Sequence, residues 1–279
     1  MSADFLQQMA ESSRERVRIA RRSVSDGALL DLALATPPPP SLQRHRDGFD
    51  LIAELKLRSP AAGQLKSGDE DVPARVMAYA QAGAAAVSIL TEPSRFDGSL
   101  SHLQTGARTL ASLHVPAMRK DFLVDPYQVL EARVAGAGGV LVILRMLPRP
   151  QIEALLERAR TLGLFVLLEA FDEQDIEQMH DLLGTAGGGV VLAGVNCRDL
   201  VTLQVVPNRL EQLVRLLPTS VPRVAESGVG SAEDARRVAA VGYDLALVGS
   251  ALMQGGDPRA LAAAMLAAGR AAHTAGQAR

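Results

Sequence analysis

VPAMRKDFLVDPYQVLEARVAGAGGVLVIL, residues 115–144, contains one full repeat of the pattern that decides the fold. It opens on a short apolar run at 115–118 and closes on another at 140–144. Runs of this length suit strands, and apolar residues at nearly every position imply burial on both faces, as in a parallel sheet. Between the runs, Asp125-Pro126-Tyr127-Gln128 reads as a helix start. The Asp carboxylate can accept from unpaired first-turn N–H groups. Pro fits the first helical position, where its missing N–H has no partner to lose, and Gln stands at the third position. The stretch is therefore strand, helix, strand.

The same alternation continues in both directions. Apolar runs fall at 51–55, 86–90, 115–118, 140–144, 164–168, 190–195, 223–225 and 245–248, with amphipathic segments of helical length between them. Ser231-Ala232-Glu233-Asp234 and Asp257-Pro258 supply further helix starts. Eight strands alternating with helices predict a parallel α/β fold. An open doubly wound sheet would also alternate, but the count of eight favours a closed (β/α)8 TIM barrel. The length of 279 residues fits one such barrel of about 250 residues, although two ordinary domains would fit it too. Residues 46–279 are assigned to the barrel.

Residues 1–45 differ and are assigned to an N-terminal helical extension covering the barrel mouth. Residues 12–35 read as one or two polar helices with broken apolar periodicity, and prolines at 37–40 form a stiff spacer. Arg14, Arg16, Arg18, Arg21 and Arg22 cluster there. They read either as a solvated helix face or as positive charge placed beside an anion site. Standing outside the eight units, the extension is expected to help bind substrate and to be dispensable for the barrel.

Composition excludes several classes. With 29 basic and 31 acidic residues the net charge is −2, so no global basic field exists to hold nucleic acid or an anionic membrane. Tryptophan is absent and aromatics make up 3%, which disfavours base stacking. The longest nearly apolar run, 261–268, is far short of the roughly 20 residues that cross a bilayer. The N-terminus has no apolar core suited to a signal peptide, and the single cysteine, Cys197, rules out an intrachain disulfide. A cytoplasmic protein is expected.

In a barrel of this kind the site lies where the strands end. Run one leads to Glu54-Leu55-Lys56 and Arg58-Ser59-Pro60; run three to Arg119-Lys120-Asp121; run five to Glu169. Run six leads to Asn196-Cys197-Arg198, run seven to Glu226-Ser227-Gly228, and run eight to Gly249-Ser250. Loops are wet, so any one polar strand end means little. Polar and charged residues at six of the eight runs, acids and bases among them, converging on one rim, read as a site. The loops after runs seven and eight often bind phosphate in such barrels. Gly228, Gly249 and Ser250 fit that task, because glycine lets a backbone N–H approach an oxyanion and a short helix from Ser250 adds a favourable dipole. The five histidines, His45, His102, His114, His180 and His273, fall outside this set, and no metal motif is present.

These residues resemble indole-3-glycerol phosphate synthase. The similarity rests on Glu54-Leu55-Lys56 with Ser59-Pro60, on Leu90-Thr91-Glu92 with Phe96-Asp97-Gly98-Ser99, and on Arg119-Lys120-Asp121-Phe122 followed by Asp125-Pro126-Tyr127-Gln128. It continues through Gly194-Val195-Asn196-Cys197-Arg198-Asp199-Leu200, Glu226-Ser227-Gly228 and Val248-Gly249-Ser250-Ala251-Leu252-Met253. The resemblance spans about residues 10–265. It implies the tryptophan-pathway lyase that converts 1-(2-carboxyphenylamino)-1-deoxyribulose 5-phosphate to indole-3-glycerol phosphate, carbon dioxide and water, with no cofactor and no metal.

The resemblance also implies roles. Lys120 is the general acid for ring closure, and Glu169 is the base, assisted by Lys56 and Glu54. Asn196, Arg198 and Ser59 orient the carboxylate and hydroxyls, with Ser227 beside them, and Glu226 is a further acid. Phe96, Phe122, Leu200 and Leu247 supply apolar walls. Cys197, where the family often has Asn or Ser, and Ala61, where Ser is common, bear on fine specificity. A small phosphorylated substrate is expected, with no nucleic-acid or membrane partner, a monomer, and at most weak association with other enzymes of the pathway. Two rival readings remain: a sugar-phosphate isomerase or aldolase using Lys120 as a Schiff base, and a non-catalytic barrel kept as a scaffold. A lyase dedicated to specialised metabolism would look the same in sequence.

Overall fold

The computed structural model describes residues 2–45, 48–61, 63–66, 70–185, 189–200, 202–254 and 256–277. Its centre is a closed parallel barrel. The strands are β1 (Asp50–Leu55), β2 (Ala86–Leu90), β3 (Ala117–Lys120), β4 (Gly139–Ile143), β5 (Phe165–Ala170), β6 (Val191–Asn196), β7 (Arg223–Glu226) and β8 (Leu245–Val248). Each strand pairs with the next in sequence, and β8 returns to β1 through Asp50↔Leu245 and Ala53↔Val248. The expected TIM barrel is therefore the fold, and an open sheet is excluded by that closing pair.

Two helices precede the barrel, α1 (Ser2–Ser23) and α2 (Asp26–Ala35). Then follow α3 (Val72–Gln81), the single turn α4 (Pro93–Phe96), α5 (Leu100–Ala111), α6 (Pro126–Val134), α7 (Arg149–Thr161), α8 (Glu173–Thr185), α9 (Arg209–Leu213), α10 (Ala232–Val241), α11 (Ser250–Gln254) and α12 (Pro258–Gln277). The predicted caps form: Asp125 accepts from the Tyr127 N–H, Ser231 from the Asp234 N–H, and Asp257 from the N–H groups of Arg259 and Ala260. A two-residue hairpin, Arg58–Ser59 against Gly63–Gln64, follows β1; no apolar pattern announces it.

Two apolar layers result from strand alternation, in which successive side chains point to opposite faces. Ile52, Met118, Leu141, Phe165, Leu167, Leu192, Val224, Leu245 and Leu247 fill the barrel interior. Leu51, Ala53, Val87, Ile89, Val140, Val142, Val166 and Leu168 face the helices. Gly139 is needed because the Phe165 ring occupies the space a Cβ would take. Ala10, Val17, Leu29 and Ala33 of α1 and α2 are buried in the same outer layer.

The arginine cluster is resolved by geometry. Arg16 pairs with Asp121 at 2.7 Å and Arg21 with Asp125 at 2.7 Å and Asp26 at 2.8 Å, while Arg18 pairs with Glu15 on its own helix. Arg16 and Arg21 thus tie the extension to the two ends of the third β–α loop, Asp121 after β3 and Asp125 at the cap of α6. Neither lines the cavity described below. Among the described residues no helix is long and apolar enough to cross a membrane.

Candidate active site

At the C-terminal ends of the strands the chain encloses a cavity of about 490 Å³. Every residue nominated from sequence lines it. Glu54, Lys56 and Ser59 come from β1 and its loop, Phe96 from α4, Lys120 from the end of β3 and Phe122 from the loop after it, and Glu169 from β5. Asn196 ends β6, with Arg198 and Leu200 after it; Glu226 ends β7, with Ser227 and Gly228 after it; Leu247 lies in β8, with Gly249 and Ser250 after it. None of the five histidines is among the lining residues, and no His, Cys, Asp and Glu cluster that could hold a metal occurs among the described residues.

The floor is a buried array of charges. Lys56 Nζ lies 2.8 Å from Glu54 Oε1. Lys120 Nζ lies 3.4 Å from Glu169 Oε2 and 3.9 Å from Glu226 Oε2. Burial would strip Lys120 of its proton, but Glu169, Glu226 and Glu54 outweigh that cost and hold its pKa above the ordinary lysine range. Glu54 is also buried, yet Lys56, Lys120 and Arg198 keep its pKa below the ordinary value. Glu226 goes the other way. Burial and the neighbouring Glu169 raise it well above the ordinary carboxylate range against the opposing pull of Lys120. Both of its oxygens are buried without a hydrogen-bond partner among the described residues.

Glycines make room for this array. A methyl group at Gly194 would collide with Glu226 Oε1, and one at Gly249 would collide with the Glu54 carboxylate and lie 3.0 Å from Lys56 Nζ. At Gly228 (φ +71°) a Cβ would stand 2.9 Å from Cys197 Sγ. Ser227 before it also has positive φ, 65°, an uncommon state for a non-glycine residue and one that recurs at functional turns. Arg198 is held in place by donating to the Leu203 carbonyl at 2.6 Å, and its N–H donates to Asn196 Oδ1 at 3.0 Å.

One wall is aromatic. Phe122 meets Phe96 at 6.1 Å between ring centroids and Phe5 edge-on at 5.9 Å. Phe5, from α1, lines the cavity and was not nominated from sequence. It lies outside the eight repeats and carries no local signal. Leu141 and Ile143 also line the cavity; their alternation on one face of β4 is a signal that could have found them.

Comparison with known proteins is consistent with this geometry. The family model described as indole-3-glycerol phosphate synthase matches residues 6–265. Curated proteins of that name are similar over nearly the whole chain. One from Parafrankia sp. is 39% identical over 272 residues, covering 95% of this chain and 96% of its own. One from Mycolicibacterium smegmatis is 39% identical, covering 96% of each, and one from Mycobacterium tuberculosis is 38% identical, covering 96% of this chain and 95% of its own. Among solved structures, a thiamine phosphate pyrophosphorylase from Pyrococcus furiosus aligns with TM-score 0.60 at 17% identity over 81% of this chain and 98% of that one. A 3-hexulose-6-phosphate synthase from Salmonella typhimurium aligns with TM-score 0.60 at 15% identity, covering 80% and 100%. Those two likenesses speak to the fold.

Proposed function

The chain belongs to the indole-3-glycerol phosphate synthase family, the carboxy-lyases that close the indole ring in tryptophan biosynthesis, and from that premise we propose how its strand ends divide the work. The reaction joins the ring carbon that bears the carboxylate to the ribulose carbonyl carbon. Carbon dioxide then leaves, and loss of hydroxide and a proton restores aromaticity.

Lys120 is the general acid for ring closure. The ionised carboxylates of Glu169 and Glu54 keep it charged, so it reaches the substrate carrying a proton. Its raised pKa makes it a weak donor toward a ground-state carbonyl, but the oxygen becomes far more basic as the new bond forms, and general acids act at that moment. Glu169, 3.4 Å from Lys120 Nζ, is the base that removes the proton during dehydration. Glu226, kept neutral by burial and by Glu169, is placed to donate to the departing hydroxide. Glu54 stays ionised and holds Lys56 at 2.8 Å, where Lys56 assists the same steps.

Arg198, with Asn196 and Ser59, orients the carboxylate and hydroxyls, for which a guanidinium fork is suited. The backbone of Gly228, Gly249 and Ser250 receives the phosphate, and Ser227 contacts the substrate beside it. Phe96, Phe122, Leu200 and Leu247 wall the aromatic ring. Residues 1–45 form an extension over the mouth of the barrel at 46–279, a reading supported by Phe5 in the cavity wall. The protein works as a cytoplasmic monomer without cofactor, with at most weak association with other pathway enzymes.

The observation that carries this reading is the convergence of Lys120, Glu169, Glu226, Glu54 and Lys56 in one cavity. The test is the fluorescence of indole-3-glycerol phosphate formed from the carboxyphenylamino substrate, with and without borohydride. Product formation without a trapped adduct is expected. A covalent adduct on Lys120 would favour Schiff-base chemistry instead.

A further inference from the structure

The structure carries a second polar array, on the opposite side of β3 from the charges of the floor. Lys120 and Phe122 line the cavity while Arg119, on the other face of the strand, does not; Asp121 borders the cavity and commits its carboxylate to the array behind it. Arg119 is 1% exposed and Asp121 2%. Asp121 Oδ2 accepts from Thr91 Oγ1 at 2.6 Å, Arg16 Nη1 at 2.9 Å and Arg119 Nη2 at 3.0 Å. Its Oδ1 accepts from Arg16 Nη2 at 2.7 Å and from the Phe122 N–H at 2.8 Å. Arg119 also donates to Thr91 Oγ1 at 3.1 Å and to the Gln128 carbonyl at 2.8 Å.

The backbone is clamped on either side. The Thr91 N–H donates to the Lys120 carbonyl at 3.0 Å. Ser13 Oγ, from α1, donates to the Phe122 carbonyl at 2.5 Å and accepts from Gln128 Nε2 at 2.8 Å. Gln128 Oε1 in turn accepts from the Val124 N–H at 2.8 Å. The segment from 119 to 124 is therefore tied at almost every residue, and the two side chains that face the cavity are carried on it. Two of the ties, Arg16 and Ser13, come from outside the barrel. Arg16 sits deep enough that its Nε is buried without a partner among the described residues, while its two Nη groups grip Asp121 and Nη2 also donates to Ser13 Oγ at 3.3 Å.

We propose that Arg16 and Ser13 of the N-terminal helix are positioning residues for Lys120, acting through Asp121 and the Phe122 carbonyl. This rests on Lys120 being the proton donor. Without the helix, Asp121 keeps Arg119 and Thr91 but loses its bidentate partner, and the Phe122 carbonyl loses its clamp. The Lys120 ammonium then samples positions away from the substrate carbonyl. Misplacement of about 1 Å can cost on the order of 10²-fold in rate.

The test is a double-mutant cycle read in single-turnover rate. Arg16→Met removes the fork from a partly exposed helical site and leaves the barrel's own array intact, so it should fold, with an unchanged circular dichroism spectrum. It should slow turnover by about tenfold or more, and Arg16→Lys should recover part of the loss. Ser13→Ala, a smaller change, should slow turnover in the same direction. In a Lys120→Met background neither change should slow the reaction further, because residues that act as a unit are not additive. A purely structural role would lower the melting temperature in both backgrounds alike and leave turnover near that of the parent. Turnover within about twofold of the parent for Arg16→Met and Ser13→Ala, or an undiminished loss in the Lys120→Met background, would overturn the proposal. Failure of the premise has its own signature: Lys120→Met alone would turn over nearly as fast as the parent.

Discussion

Glu226 and Cys197 make opposite predictions from the same cause, burial. The Glu226 carboxyl is raised by burial and by Glu169, so folding favours its protonated form. Its contribution to stability is present below the unfolded glutamate value of about 4.3 and is lost as pH rises through the higher folded value. Glu226→Gln keeps the neutral shape. Its melting temperature relative to the parent should therefore increase with pH above about 4.3, and a difference that does not change with pH would argue against a neutral Glu226. At Cys197, 2% exposed, burial pushes the thiol up to about 11. It is a packed thiol behind Gly228 and not a thiolate nucleophile. Cys197→Ser should keep most activity, and loss of turnover in that variant would overturn this assignment. The charges of the floor were legible in sequence because each stands at the end of an apolar run. Their protonation was not, since the balance between desolvation and neighbouring charge depends on distances such as the 3.4 Å between Lys120 and Glu169.

Strand limits show where a reading by hydropathy stops short. The run at 115–118 becomes Ala117–Lys120. Pro116 offers no N–H to a ladder, and the strand continues through Arg119 and Lys120 because one is neutralised in a buried array and the other faces the cavity. The run at 164–168 likewise extends to Ala170, since the Glu169 side chain points into the site. Functional side chains thus sit at strand positions that hydropathy assigns to loops. The extension shows the converse. Its helices were legible, but their docking was not, because Ser13, Arg16 and Phe5 find partners more than a hundred residues away. With Ala10, Val17, Leu29 and Ala33 buried against the barrel, deletion of residues 1–45 should lower the melting temperature as well as weaken substrate binding, in contrast to the dispensability expected from its place outside the repeats. A truncated chain that melts with the parent would show the extension to be a cover alone. At the phosphate end, inorganic phosphate should compete with substrate, and non-competitive inhibition would move the phosphate away from Gly228, Gly249 and Ser250.

The molecule as a whole is a closed barrel that, with its N-terminal helix, brings residues from 5 to 254 into one cavity. The closed count of strands was legible in the alternation, whereas the two-residue hairpin at Arg58–Ser59 and the aromatic wall completed by Phe5 depend on tertiary contact. A net charge of −2 supplies no global attractive field for an anionic substrate, so under the proposed function its capture would fall to the cavity's own cations, Lys56, Lys120 and Arg198. Catalysis then turns on whether Lys120 delivers the proton as the ring closes. Single-turnover kinetics of Lys120→Met, with circular dichroism to verify the fold, address that directly. General acids contribute about 10²- to 10⁴-fold, so turnover should fall by at least that range, while Glu169→Gln should accumulate the decarboxylated, still hydroxylated intermediate. A folded Lys120→Met protein that turns over within about tenfold of the parent, a barrier change of only about 1.4 kcal/mol, would contradict the assignment and make Lys56 the better candidate.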